Sequence, residues 1–178
     1  SLTQDGRGLY HARFMSDPIL IDSLDFAKQR RQLSGVIAMA DLPRTHDLLA
    51  NTDGSLTWSL AGGADALSRP TLQLHVRADV QLVCQRCLTA MPFRLEADTV
   101  LTVFLYEDRL EAACEDDDTL DAVLAEPEFN VLALIEDEVL LGLPIVARHE
   151  HCEPEVRLGS SGKPNPFAVL ASLKRKPE

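Results

Sequence analysis

The chain of 178 residues is 46% apolar and 25% charged, a globular composition that excludes wholesale disorder. Its net charge of −11 argues against broad, non-specific binding of nucleic acid, because phosphate binding needs a positive face. The charge is unevenly placed: residues 107–155 hold 16 of the 28 acidic and 2 of the 17 basic residues. The longest uncharged stretch, residues 54–64, has 11 residues and is too short to span a membrane.

The domain organisation follows from composition. Four cysteines are too few for a disulfide-dense secreted domain, so we expect a cytoplasmic protein with reduced thiols. Residues 1–14 lack apolar periodicity and are interpreted as an appended leader, with the natural start at Met15. Residues 15–155 are predicted to be a single α+β domain with an acidic loop at 107–128. Residues 156–178 are predicted to be a flexible segment that ends in a short docking helix.

The first predicted element is a helix over residues 24–34, with Ser23 as its cap and Gly35 just past its end. A strand over residues 36–42 follows and is ended by Pro43. A turn at Asp53 and Gly54 then leads into a second strand over residues 55–61.

A long hairpin is the clearest signal in the sequence. Every even position of residues 72–82 is apolar and every odd position is polar, which predicts a long strand with one buried face. Residues 93–106 alternate at first and then become apolar on both faces, which indicates a second strand whose end is covered. The two strands should pair in antiparallel fashion, with Cys84 and Cys87 near the tip of the hairpin.

Helices are predicted near the end of the chain. Asn130 caps a helix that runs to about Leu141 and is preceded by a hydrophobic staple. Its buried stripe is predicted to be Leu132, Ile135, Val139 and Leu143. The last element is a helix over residues 166–174. The predicted fold class is therefore α+β: an antiparallel sheet, for which a strongly curved or barrel-like form stays open, with a long central hairpin and about three short helices.

The cysteine spacing predicts a metal site. Cys84 and Cys87, three positions apart on a tight turn, can hold one edge of a tetrahedral zinc site. His149 and Cys152 share that spacing and can supply the other edge, with His151 as a substitute ligand. The pattern thus predicts one zinc ion in a Cys3His site and no other cofactor.

Two other interpretations of these cysteines stay open. They can be reduced and merely packed, since single C-x-x-C matches are common by chance. A thiol-redox role would need a helix N-terminus to lower the thiol pKa, whereas here a strand precedes the pair and another follows it.

No motif typical of an enzyme is present, whether for phosphate, dinucleotide, metalloprotease or serine-hydrolase chemistry. Glu136, Asp137 and Glu138 are consecutive on a helix and spread over about 200° around its axis. They cannot converge on one substrate, so a solvated face with an ion pair is the simpler interpretation.

Two sets of residues are candidates for binding partners. Basic side chains suit helix C-termini electrostatically, and contact with RNA phosphates is the functional alternative. These candidates are Lys28, Arg30, Arg31, Arg86, Lys174, Arg175 and Lys176. The last helix is too short to be stable alone, so its apolar side chains must dock on this domain or on a partner. They are Phe167, Leu170 and Leu173.

Four separated motifs stand in a recognisable order: VCQRCL at 83–88, IEDEVLLGLP at 135–144, HCE at 151–153 and KPNPFAVLASLK at 163–174. Together with residues 24–35 they resemble the bacterial YceD family, the large ribosomal RNA subunit accumulation proteins. Family members from other bacterial groups carry more cysteines after the Leu-Pro motif, in a zinc-ribbon-like arrangement. Only His149, His151 and Cys152 occur there in this chain.

The resemblance implies a non-enzymatic factor needed for the synthesis, processing or stability of 23S rRNA, and hence for large-subunit biogenesis. Its implied partners are the large-subunit precursor or 23S rRNA, reached directly or through ribosomal proteins or assembly factors. The alternatives are a structural zinc-binding module without a ribosomal role and, less favoured, a C-x-x-C thiol-redox protein.

Overall fold

A computed structural model of the protein describes residues 18–152. The predictions for the termini, among them the C-terminal helix with Phe167, Leu170 and Leu173 and the basic residues Lys174, Arg175 and Lys176, lie outside the described residues. The elements in chain order are β1 (Leu20–Ile21), α1 (Ser23–Lys28), β2 (Gln32–Ala38), 3-10 helices at Met39–Asp41 and Pro43–Leu48, β3 (Ser55–Ala64), β4 (Pro70–Val83), β5 (Ala90–Phe104), α2 (Glu107–Asp116), β6 (Ala122–Leu124), β7 (Phe129–Asn130) and α3 (Val131–Gly142).

The α+β class is confirmed by a five-stranded sheet in the order β2-β3-β4-β5-β6 and a separate two-stranded pair, β1 with β7. The expectation of a purely antiparallel sheet is wrong, because β6 runs parallel to β5. A parallel pairing needs a crossover connection, which α2 supplies here. The barrel-like form is also not found: within residues 18–152 the sheet is open, with β2 and β6 as its edges.

The central hairpin is confirmed. β4 and β5 pair in antiparallel register from Thr71 opposite Thr102 to Val83 opposite Ala90. The even positions of β4 are buried, as the alternation predicts. They are Leu72, Leu74, Val76, Ala78, Val80 and Leu82, each at most 2% exposed.

One face of the sheet carries the core, and helices cover it. Side chains from α1, from the 3-10 helices and from α3 pack onto the buried positions of β3 and β4, whereas the opposite face bears mainly polar side chains. The large buried side chains of this layer are Phe26, Met39, Leu42, Val131, Ile135 and Val139, of which Leu42 lies between the two 3-10 helices. None of the helices within residues 18–152 has the length and apolar character needed to cross a bilayer.

The N-terminal region differs from the prediction. The first helix ends at Lys28, and its cap is Asp22, whose side chain accepts a hydrogen bond from the Asp25 N–H at 2.8 Å. The residues predicted to end this helix belong instead to strand β2. Within β2, Gly35 lies against the indole of Trp58. A Cβ at position 35 would be 3.1 Å from Trp58 Nε1. The glycine therefore serves close packing within the sheet rather than the end of a helix.

The later elements agree in part with the sequence. Residues 107–128 contain the helix α2 and the edge strand β6 where mainly loop was predicted; α2 buries none of its residues. The cap of α3 is confirmed, since the Asn130 side chain accepts a hydrogen bond from the Ala133 N–H at 3.1 Å. The buried stripe is shifted slightly: Val131 takes the place predicted for Leu132, which is half-buried.

Gly62 and Gly63 in β3 provide a matched test of how closely α1 approaches the sheet. A Cβ at Gly62 would lie 2.3 Å from the Phe26 carbonyl oxygen, whereas one at Gly63 would have its nearest neighbour at 3.4 Å. We expect Gly62→Ala to lower the free energy of unfolding by about 1–3 kcal/mol, because α1 must move away from β3. Gly63→Ala should be within about 1 kcal/mol of wild type in urea unfolding. Equal destabilisation by the two substitutions would contradict this packing.

Candidate metal centre

The tip of the β4–β5 hairpin forms one half of the site. The Cys84 N–H donates to the Thr89 carbonyl at 2.9 Å, and the Leu88 N–H donates to the Cys84 carbonyl at 2.8 Å. Leu88 has a φ of 59°, in the left-handed region, and so closes a tight loop. This loop brings the buried Cys84 and the half-buried Cys87 to the same point.

The chain that follows α3 forms the other half. Leu143 is buried in the core, and the chain then runs to the hairpin tip, where the Gln85 N–H donates to the Ala147 carbonyl at 2.8 Å. Two residues later the His149 N–H donates to Cys84 Sγ at 3.4 Å. The buried face of α3 therefore fixes where the second pair of candidate ligands arrives.

The four predicted ligands come together in space. One ligand atom each from Cys84, Cys87, His149 and Cys152 lies within 4.8 Å of all the others. The two sulfur atoms of Cys84 and Cys152 are 3.7 Å apart, and Cys87 Sγ is 3.4 Å from His149 Nδ1. A tetrahedral ion with bonds of about 2.3 Å to sulfur and 2.0 Å to nitrogen has edges of about 3.8 and 3.5 Å. The arrangement could hold a metal ion, and it includes His149 rather than the exposed His151.

Hydrogen bonds favour the metal-binding form of the first two cysteines. Burial raises the pKa of the Cys84 thiol, but backbone N–H groups of Cys87, His149 and Arg86 outweigh it and lower that pKa to about 5. The Thr89 hydroxyl and backbone lower the pKa of Cys87. Since metals bind thiolates rather than thiols, both groups are prepared to be ligands.

The pKa values of His149 and Cys152 depend in part on Cys84 and Cys87. Hydrogen bonds to Cys84 and Cys87 raise the pKa of His149, because the imidazolium is stabilised by neighbouring thiolates. Burial, followed by the nearby Cys84 and Cys87, raises the pKa of Cys152. Without a metal, the neighbouring Cys84 and Cys87 thus favour the protonated form of His149, and burial favours the protonated form of Cys152. A divalent cation would replace those protons.

The basic candidates do not form one patch among the described residues. Arg86 at the hairpin tip donates from its guanidinium to the Cys152 carbonyl at 3.1 Å, which ties the two halves of the centre together. Lys28 is the last residue of α1, and Arg30 and Arg31 follow it. All three are exposed, and the Arg31 carbonyl accepts a hydrogen bond from the Gly62 N–H. Gly62 pairs with Leu72, about 12 residues of β4 away from Cys84, or about 40 Å along the strand.

The acidic residues of α3 have structural partners. The predicted ion pair is present, but the predicted solvated face is wrong for Glu136. Glu136 is buried and accepts a hydrogen bond from the Arg44 N–H at 2.7 Å, and Asp137 pairs with the Arg44 guanidinium at 2.6 Å. Glu138 accepts from the Thr99 hydroxyl at 2.5 Å. The sequence analysis named neither Arg44 nor Thr99 as a partner, because both are far from α3 in the chain.

Comparisons with known proteins agree with the motif resemblance. Residues 72–174 match the family profile described as Large ribosomal RNA subunit accumulation protein YceD. A protein of that name from Haemophilus influenzae is 31% identical over 175 residues, which cover 89% of this chain and 97% of the relative. No solved structure matches the chain.

The two histidines allow a matched test of the site. We expect His149→Ala to reduce metal affinity at least about 100-fold, since even a residue that only supports a ligand is worth about 10–100-fold. His151→Ala should retain wild-type metal content, because His151 is not part of the cluster. The measurement is elemental analysis of protein purified without chelator. Loss of metal only in His151→Ala would contradict the assignment of ligands.

Proposed function

Because this chain belongs to the YceD family of large ribosomal RNA subunit accumulation proteins, we propose that it is a non-enzymatic factor for biogenesis of the large ribosomal subunit. It supports the synthesis, processing or stability of 23S rRNA by binding rRNA, ribosomal proteins or both, and it acts in the cytoplasm. The observation that carries the proposal is the similarity to the Haemophilus influenzae relative, which extends over nearly the full length of both chains.

The chemistry of the described residues supports binding rather than catalysis. The three consecutive acidic residues of α3 are engaged by Arg44 and Thr99 and hold the helix against its neighbours. The cysteine and histidine cluster consists of four potential ligands, so that a bound tetrahedral ion would keep no open position for a substrate. Such a centre stabilises a fold and does not carry out a reaction.

The proposed phosphate contacts lie at two ends of the sheet. Lys28 and Arg30, exposed at the end of α1 and just after it, form one set, and Arg86 at the hairpin tip supports the metal centre as well. The acidic helix α2 exposes every charge it carries and suits the basic segments of ribosomal proteins, where charge complementarity raises association rate and selectivity.

The C-terminal residues have a proposed role in the same process. Lys174, Arg175 and Lys176 would add phosphate contacts, and the apolar side chains of that segment, Phe167, Leu170 and Leu173, would dock.

We propose zinc as the metal. Three thiolates and one imidazole are the soft and borderline donors that zinc prefers, and the four-ligand set matches a closed structural site. Zinc would join the hairpin tip to the chain after α3 and so stabilise the end of the sheet.

A gene deletion tests the ribosomal role. We expect mature 23S rRNA to fall when the gene is deleted and to be restored by the wild-type gene. A Lys28→Glu and Arg30→Glu double variant should restore it poorly, because it removes two phosphate contacts and introduces repulsion. RNA is measured by quantitative gel analysis of total rRNA. Normal 23S rRNA after deletion would reject the proposal.

The matched control is a charge reversal outside the proposed surfaces. Arg77→Glu changes an exposed basic residue on the polar face of β4 and should restore 23S rRNA fully. Crosslinking in cells, with sequencing of bound RNA and mass spectrometry of bound proteins, separates direct RNA contact from recruitment through a protein.

Zinc removal tests the metal proposal separately. A ligand that binds only the folded state contributes about 2.7 kcal/mol when its free concentration is 100 times its Kd. For a domain of this size we expect a chelator to lower Tm by about 5–10 °C, and zinc but not magnesium to restore it. The His149→Ala variant should start at the lower Tm and not respond to chelator. An unchanged wild-type Tm would contradict a structural zinc.

A structural zinc module without a ribosomal role is the second candidate, and the ligand cluster favours it. It predicts the Tm loss on chelation together with normal 23S rRNA in the deletion strain.

A further inference from the structure

A small notch lies beside the candidate metal centre, at the end of the sheet where the described chain stops. It has a volume of about 70 Å³. Its walls come from the 3-10 helix at Pro43–Leu48, from the end of β4 and from the chain after α3. Its lining includes the side chains of Leu48, Leu82, Leu143 and Ile145, with Asp47 at one side.

Two of the apolar side chains that line the notch are exposed. Ile145 is fully exposed, at 101% of its reference area, and Leu48 is 44% exposed. Leu141 and Val146, which are near Ile145 in the chain, are 79% and 49% exposed. Adjacent large apolar side chains at this exposure indicate a surface that is covered by another segment or molecule.

The position of the chain end favours one occupant. Gln85 lines the notch, and its neighbour Cys84 lies 3.7 Å from Cys152, sulfur to sulfur, so the described chain ends beside the notch. Phe167 follows 15 residues later, and a chain of that length can reach about 50 Å. The C-terminal segment can therefore reach the notch without any rearrangement of the described fold.

The chemistry of that segment complements the surface. Phe167, Leu170 and Leu173 are spaced by three residues and would occupy one face of the predicted helix. Residues 163–176 contain four basic residues and no acidic one. The notch carries the exposed carboxylate of Asp47 at its side. Apolar anchors flanked by positive charge thus meet a notch with two exposed apolar side chains, Leu48 and Ile145, and one carboxylate.

We propose that the notch binds the C-terminal segment of the same chain, residues 165–174, through Leu170 and its apolar neighbours. Because the two are tethered, the local concentration of the segment is on the order of millimolar, so that even weak contacts keep it bound. The bound segment covers Ile145 and holds its own basic residues against the domain until a stronger partner releases it. This interaction is independent of the ribosomal role and can fail or hold whatever the deletion strain shows.

The test is amide hydrogen exchange, followed by mass spectrometry, on the full zinc-loaded chain. We expect Ile145→Asp to accelerate exchange of residues 165–174 about tenfold or more, and Leu170→Asp to accelerate exchange of residues 143–148 by a similar factor. Each substitution is read out in the other segment, so that a local effect of the substitution itself cannot explain faster exchange. Acceleration in neither direction overturns the proposal.

Leu67→Asp is the control, because Leu67 is 72% exposed in the connection between β3 and β4 and lies outside the notch. It should change exchange in neither segment. Unchanged protection of the β4–β5 amides in all three variants shows that the fold is intact. Mutual protection that disappears on dilution would indicate a second copy as the occupant and would overturn the intramolecular assignment.

Discussion

The β4–β5 ladder is the constraint on which the rest of the structure depends. Side chains alternate between the two faces of a strand, so a shift of one residue would expose every apolar side chain from Leu72 to Leu82. The cost of such a slip fixes the register over the whole length of the hairpin. Fixed register in turn sets which residues form the turn, and so places Cys84 and Cys87 side by side. It also presents one continuous apolar face onto which α1 and α3 pack.

What the sequence predicted well was local. The alternation in β4, the Asn130 cap and the spacing within each cysteine-containing pair all depend on residues a few positions apart. The first helix was predicted too long because Gly35 looks like a helix end, whereas its actual role is to accommodate Trp58 from the neighbouring strand. The parallel strand β6 was missed for a similar reason: three weakly apolar residues acquire their structure only by pairing with β5.

In the candidate metal centre, too, only the local features could be predicted. The spacing indicated two pairs of candidate ligands, but no local feature of the sequence requires the two pairs to meet. They meet because α3 is docked on β4 and β5 and its last turn directs the chain toward the hairpin tip, where Gln85 binds the Ala147 carbonyl. Glu136 is another example. A buried carboxylate needs a hydrogen-bond donor, but the sequence does not reveal that the donor is Arg44. The basic residues after α1 and Arg86 looked like one group in the sequence, yet β4 holds them at opposite ends of the sheet.

The long separation between the two halves of the metal centre has a consequence for how the protein folds. His149 and Cys84 are 65 positions apart, and closing a flexible loop of that length costs about 4 kcal/mol in chain entropy plus a constant. In an unstructured chain only one pair of neighbouring candidate ligands is available at a time. Full coordination of a metal ion would therefore come late, after the hairpin has formed and α3 has docked on it. A bound ion would then report that the sheet and its covering helix have been assembled correctly, and it would act as a final latch rather than as a nucleus for folding.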